Sequence, residues 1–131
     1  MNHIRDVLTR SRTIAVVGLS AKPDRASFQV ASYLQAHGYR IIPINPRETS
    51  VLGEVALPSL RDVQDHIDVV NVFRESNAVP AIVDDTIAIA APVLWLQLDI
   101  HHAEAEARAS QHGITVITDS CIKVVHQQLM Q

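Results

Sequence analysis

Five short runs rich in β-branched residues recur along the chain at nearly even intervals: Thr13–Val17 (TIAVV), Arg40–Ile44 (RIIPI), 68–72 (DVVNV), 93–97 (VLWLQ) and 114–118 (ITVIT). Their starts lie 21 to 28 residues apart, the spacing of successive βα units. Each run is mostly apolar and does not alternate strictly. Strands buried on both faces of a parallel sheet read this way.

The intervening segments carry helical signals. Ser27 is placed to cap a helix with Phe28, Ala31 and Leu34 on its apolar face, ending near Gly38. Ser59 is placed to cap a short helix holding Leu60 and Val63. Ser76 or Asn77 caps another, with Val79, Ile82, Val83, Ile87 and Ala90 at helical spacing and Pro80 in its first turn. The stretch 102–112 is rich in Ala and Glu and stops at Gly113, while Ile122, Val125 and Leu129 mark a last helix. Residues 4–8 form a further short helix. This alternation predicts one α/β domain over residues 1–131: a three-layer Rossmann-like fold with an open five-stranded parallel sheet and helices on both faces. The strand order expected is 3-2-1-4-5, with a flavodoxin-like order as the alternative. In either, ligands bind beyond the C-terminal ends of the strands.

Composition supports one core and removes several function classes. Of the 131 residues, 47% are hydrophobic and 19% charged, which argues against disorder. No apolar run approaches a membrane span, and the N-terminal stretch MNHIRDVLTRSR has no apolar signal core. A single cysteine, Cys121, forms neither an internal disulfide nor a multi-cysteine zinc site, so the cytoplasm is the expected compartment. Net charge is −3 and only five aromatic residues occur, which speaks against nucleic-acid binding. The charge is uneven: residues 1–75 carry a net +1 and residues 76–131 a net −4.

Several of the basic residues fall in the loops that follow the first three strands. After the first come Gly18 to Ser27, GLSAKPDRAS. Gly18 allows a tight turn and close approach to a ligand, and the helix start beyond it favours an anion. Ser20 and Ser27 offer hydroxyls, and Lys22 and Arg25 offer charge. The plain alternative is a solvated turn. The loop has one glycine where a dinucleotide fingerprint needs three, and no P-loop motif occurs. After the second strand come Asn45, Pro46 and Arg47 in place of the acidic residue usual in an NAD site. After the third come Phe73 and Arg74, read alternatively as a core residue and a partner of Glu75 or Asp68. Lys22, Arg25, Arg47 and Arg74 on one rim suit a ligand with several phosphates.

At these residues the chain resembles the small stand-alone CoA-binding proteins of Rossmann-type fold, relatives of the CoA-binding domain of the succinyl-CoA synthetase alpha subunit. The segments that carry the resemblance are AVVGLSAKPDRASFQVASYLQAHGYRIIPINP, VLGE, SL, IDVVNVFR, VLWLQL and the late D-x-C-I-K…H stretch. It implies binding of coenzyme A or an acyl-CoA through Gly18, Leu19, Ser20, Lys22, Arg25, Ser27, Asn45, Pro46, Arg47, Phe73 and Arg74. It supplies no reaction. Family members tend to have I-G-A-K before the fourth strand and Gly after W-x-Q-L; this chain has Ile89-Ala90-Ala91-Pro92 and Asp99. Ser120 and Val125 depart from the basic and acidic residues often found at those positions.

Gln97, Asp99, His101 and His102 follow the fourth strand and face the same cleft. Adjacent histidines on a helix point about 100° apart, which makes joint metal ligation by His101, His102 and Glu104 awkward. No activated nucleophile accompanies them. Cys121 reads as a core thiol, or alternatively as a thiol that exchanges with a bound CoA. The leading expectation is a non-catalytic CoA-binding protein, with no nucleic-acid or membrane partner and a homodimer or unknown protein as its macromolecular partner. The alternatives are an NADP-linked oxidoreductase and a protein-interaction module that has lost its ligand.

Overall fold

The computed structural model describes residues 2–130. Five parallel strands form the central sheet: β1 (Thr13–Val17), β2 (Arg40–Ile44), β5 (Val69–Val72), β6 (Val93–Leu96) and β7 (Thr115–Ile117). A two-stranded antiparallel hairpin, β3 (Ser50–Val51) and β4 (Glu54–Val55), follows β2. Five α-helices complete the chain: α1 (Asn2–Arg10), α2 (Ala26–Ala36), α3 (Val79–Ala88), α4 (Ala103–Gln111) and α5 (Ile122–Met130).

Side chains alternate across the sheet, and each face is sealed by its own helices. Ile14, Val16, Ile41, Val69 and Trp95 pack with α1, α2 and α5 through Leu8, Leu34 and Ile122. Ala15, Val17, Val70, Val72 and Leu94 pack with α3 and α4 through Val83 and Ala109. This double burial is why the strands read as continuous apolar runs. Every residue of β1, β5 and β6 is buried.

The first expected strand order needs correction, and the flavodoxin-like alternative is the one found. The sheet runs β2-β1-β5-β6-β7, so the third long strand pairs with β1 and does not extend the sheet beyond β2. The place outside β2 is taken by a single parallel bridge between Ile44 and Leu57. Pro43 supplies the physical reason. The Ile44 carbonyl accepts the Gly18 N–H on the β1 side at 2.8 Å, so the backbone of Pro43 turns outward, where its carbonyl accepts the Leu57 N–H at 3.0 Å. Pro43 has no N–H to return, which restricts an outer ladder and marks β2 as an edge. The α/β class, the five parallel strands and the helices on both faces stand as expected.

Helix starts also differ in detail. Ser27 does not cap α2. The cap position is Arg25, and no side chain closes the helix start. Neither Ser76 nor Asn77 caps α3; both lie in a short 3-10 turn over Ser76–Ala78 that leads into it, with Pro80 in the first turn as expected. Ser59 does act as a cap, in a reciprocal pair with Asp62, over a single 3-10 turn. His102 caps α4 by accepting the Ala105 N–H at 3.2 Å.

Candidate functional site

β1 and β5 lie side by side and their chains diverge at their C-terminal ends, the place where α/β sheets open a crevice. The Phe73 N–H donates to the Val17 carbonyl at 2.8 Å and continues the ladder to the rim. There the chain after β1 turns through Gly18 at φ +87°. A side-chain carbon on Gly18 would lie 2.4 Å from the Phe73 carbonyl oxygen and 3.1 Å from Arg74 Cδ. Both the turn and the crowding therefore demand glycine here.

The loop beyond Gly18 is braced from within. The Ser20 N–H donates to Ser27 Oγ at 3.0 Å, and the Lys22 N–H donates to Ser20 Oγ at 3.1 Å. Ser27 is buried, so its hydroxyl serves the loop and not the helix cap. Asn45 Nδ2 donates to the Leu19 carbonyl at 3.0 Å, while Asn45 Oδ1 accepts the Arg47 N–H at 2.9 Å. Asn45 thus ties the loop after β2 to the loop after β1. The start of α2, which borders this loop, is left without a side-chain cap.

Two cavities meet at Gly18. One, of about 250 Å³, is lined by Gly18, Ser20, Arg25, Ala26, Ser27 and Phe73. The other, of about 430 Å³, is bordered by Gly18, Asn45, Pro46, Arg47, Arg74 and Glu75 among others. Nine of the eleven residues expected at a ligand therefore line these two spaces. Leu19 and Lys22 line neither. Leu19 is fully buried in the core, so only its backbone faces the loop, and Lys22 is exposed. Phe73 divides its surface between core and cavity: it packs partly against the core and borders the first space.

Two carboxylates of the chain stand at the rim, and of these the sequence singled out Glu75 but not Glu48. Glu48 Oε2 accepts the Ala21 N–H at 2.8 Å, inside the loop after β1. Glu75 accepts Arg74 Nη2 at 2.9 Å, as the alternative reading of Arg74 expects. The Arg74 guanidinium holds the Glu75 carboxyl below its ordinary range. Both groups of that pair are well exposed, so a phosphate can compete with it at little cost. Asp68, the other partner considered for Arg74, instead accepts the Arg12 and Thr13 N–H groups and pairs with His66 at 3.0 Å.

The histidines after β6 have separate tasks. His101 Nε2 lies 2.8 Å from Asp119 Oδ1, and His102 is committed to capping α4. Asp99 and Asp119 adopt φ values of +68° and +60°. The Asp99 backbone takes the left-handed conformation that glycine favours.

Known proteins resemble this chain over nearly its whole length. Residues 12–127 match the CoA binding domain family. An uncharacterized protein of Bacillus subtilis (strain 168), YneT, is 45% identical over 123 residues, which is 94% of this chain and 91% of that protein. A hypothetical protein from Pyrococcus horikoshii OT3 superimposes with a TM-score of 0.97 at 35% identity, covering 99% of this chain and 92% of that one. A dinucleotide-forming acetyl-coenzyme A synthetase of Ca. Korarchaeum cryptofilum, solved in complex with phosphate and ADP, superimposes with a TM-score of 0.74 at 27% identity. That match covers 88% of this chain but 27% of the synthetase. A glycine turn under the Phe73 carbonyl, basic side chains on either side of it and a matching family profile over nearly the whole chain lead to one assignment: the chain belongs to the CoA-binding domain family.

Proposed function

We propose that the protein binds coenzyme A, or an acyl-CoA, through its adenosine diphosphate part at the C-terminal ends of β1, β2 and β5, and that it performs no chemistry on the ligand. The observation that carries this reading is the Gly18 junction. Arg25 borders one side of it, Arg47 and Arg74 border the other, and the uncapped start of α2 faces the same rim. Coenzyme A carries a pyrophosphate and a ribose phosphate, so it needs several cations spread over one crevice. The pyrophosphate is assigned to the space between Arg25 and Arg74 and the remaining phosphate to Arg47. Asn45 and the Leu19 backbone hold the loops at the spacing this requires. The residues around Gly18 supply cations and hydroxyls but no nucleophile paired with a base, which supports a binding role.

Isothermal titration tests the proposal. CoA gives saturable heat, and its affinity falls as salt rises because charge carries much of the attraction. No heat with CoA or an acyl-CoA ends the reading. A rise in melting temperature with NADP and none with CoA points instead to a nicotinamide enzyme.

A further inference from the structure

Four backbone N–H groups between Ser20 and Arg25 are hydrogen-bonded, and three of them stay within the loop and its helix start. The Ser20 N–H donates to Ser27 Oγ at 3.0 Å, the Lys22 N–H to Ser20 Oγ at 3.1 Å and the Arg25 N–H to the Lys22 carbonyl at 3.0 Å. The Ala21 N–H differs. It donates to Glu48 Oε2 at 2.8 Å, across to the loop after β2. This is the shortest of the four, as fits a bond to a charged acceptor.

The turn that carries Glu48 is the one that carries Arg47. Asn45 builds it: its Oδ1 accepts the Arg47 N–H at 2.9 Å and its carbonyl accepts the Glu48 N–H at 3.3 Å. Arg47 borders the larger cavity, while Glu48 reaches back to the first loop. A tie between the two loops needs no charge, because Asn45 already makes one with a neutral amide, to the Leu19 carbonyl at 3.0 Å. Nor is the Glu48 charge cancelled. Among the described residues it forms no ion pair with a lysine, arginine or histidine. An anion of the chain therefore sits on a backbone N–H of the loop that doubly wound folds offer to a phosphate. Its charge opposes any phosphate that arrives.

We propose that Glu48 is a built-in competitor of the ligand. In the free protein its carboxylate stands in for a phosphate on the Ala21 N–H. A phosphate of the bound coenzyme takes that N–H and releases Glu48 to solvent. Glu48 is half-buried on a loop, so its release hands the carboxylate to water and leaves no polar group unmet. A ligand without phosphate has nothing to exchange for the carboxylate and meets a closed loop. The inference rests on the coenzyme reading given above and adds a control on its affinity.

Titration calorimetry with CoA on the intact protein compares wild type with Glu48→Gln, Glu48→Ala and Glu54→Gln. Glu48→Gln removes the charge and keeps an oxygen for the Ala21 N–H, so it tests the competition without breaking the tie. Glu54 lines a separate cavity with Arg40 and Asp65, so its variant removes the same charge away from the rim. Both Glu48 variants are expected to bind CoA about threefold or more tightly than wild type, with a gain that shrinks as salt rises, and Glu54→Gln to bind as wild type does. By NMR, the Ala21 amide resonance differs between wild type and Glu48→Ala without ligand, and the difference closes when both are saturated with CoA. Unchanged or weaker binding by the Glu48 variants overturns the competitor and leaves the coenzyme reading standing. So does an equal gain in Glu54→Gln, or a resonance difference that persists at saturation. Failure of CoA to bind wild type and every variant overturns the two proposals together.

Discussion

The Phe73 carbonyl oxygen lies 2.4 Å from the point where a side-chain carbon on Gly18 would stand. This contact joins the loops after β1 and β5 and sets the depth of the crevice. Gly18→Ala forces the two chains apart and puts a non-glycine residue at φ +87°. The cost is about 2 kcal/mol or more from the backbone conformation and the overpacking together. Denaturant unfolding should show that loss, and calorimetry should show CoA affinity falling with it.

Charge reversal at the rim separates specific cations from general charge. Arg25→Glu and Arg74→Glu are each expected to lower CoA affinity at least about tenfold. Arg108→Ala changes net charge in the same direction but removes a residue paired with Asp84, between α4 and α3, and is expected to leave affinity unchanged. Equal losses for all three variants in titration would mean that the arginines act only through bulk charge.

His126 predicts a stability change near neutral pH. It is buried on α5, and its Nδ1 lies 2.7 Å from the Tyr33 hydroxyl, with the His37 ring 5.2 Å away. Burial, and then the charge of His37, lower its pKa from the ordinary 6.5. A base whose folded pKa is depressed favours the native state fully above its unfolded pKa. That stability is lost as pH falls through about 6.5 towards the lower folded value, because the unfolded chain takes up the proton first. Urea midpoints measured from pH 8 to pH 5 should decline in this window, and His126→Gln should flatten the decline.

Ala90 offers a stabilising change. It follows the C-terminal end of α3 at φ +58°, exposed to solvent. Ala90→Gly relieves the left-handed strain and should add about 1 kcal/mol of stability. Thermal unfolding checks it, and CoA affinity should not move.

Most of the architecture was legible because burial on both faces leaves a plain trace in residues such as Ile14, Val70 and Leu94. Of the two strand orders expected, the periodicity alone does not choose, but Pro43 carries the information: a proline inside a strand belongs at an edge. The β3–β4 hairpin was missed too. Its turn is Leu52-Gly53, both with positive φ, and leucine is a poor advertisement for that conformation. The rim cations were readable from loop position alone. Ser27 was not, because a serine near a helix start suggests a cap, and only the fold shows its hydroxyl bonded to Ser20. Glu48 was beyond reach in the same way, since its partner is a backbone N–H group distant in sequence, at Ala21.

The outward-facing Pro43 also governs how molecules of this protein can meet. A second sheet approaching β2 finds one donor missing, and the Pro43 carbonyl and the Asn45 N–H already bonded to Leu57. Lateral growth of the sheet is blocked on that flank, and with it the stacking of strands that leads to aggregation. A dimer built on a continuous sheet would have to form along β7, at the far side of the molecule from the loop after β2.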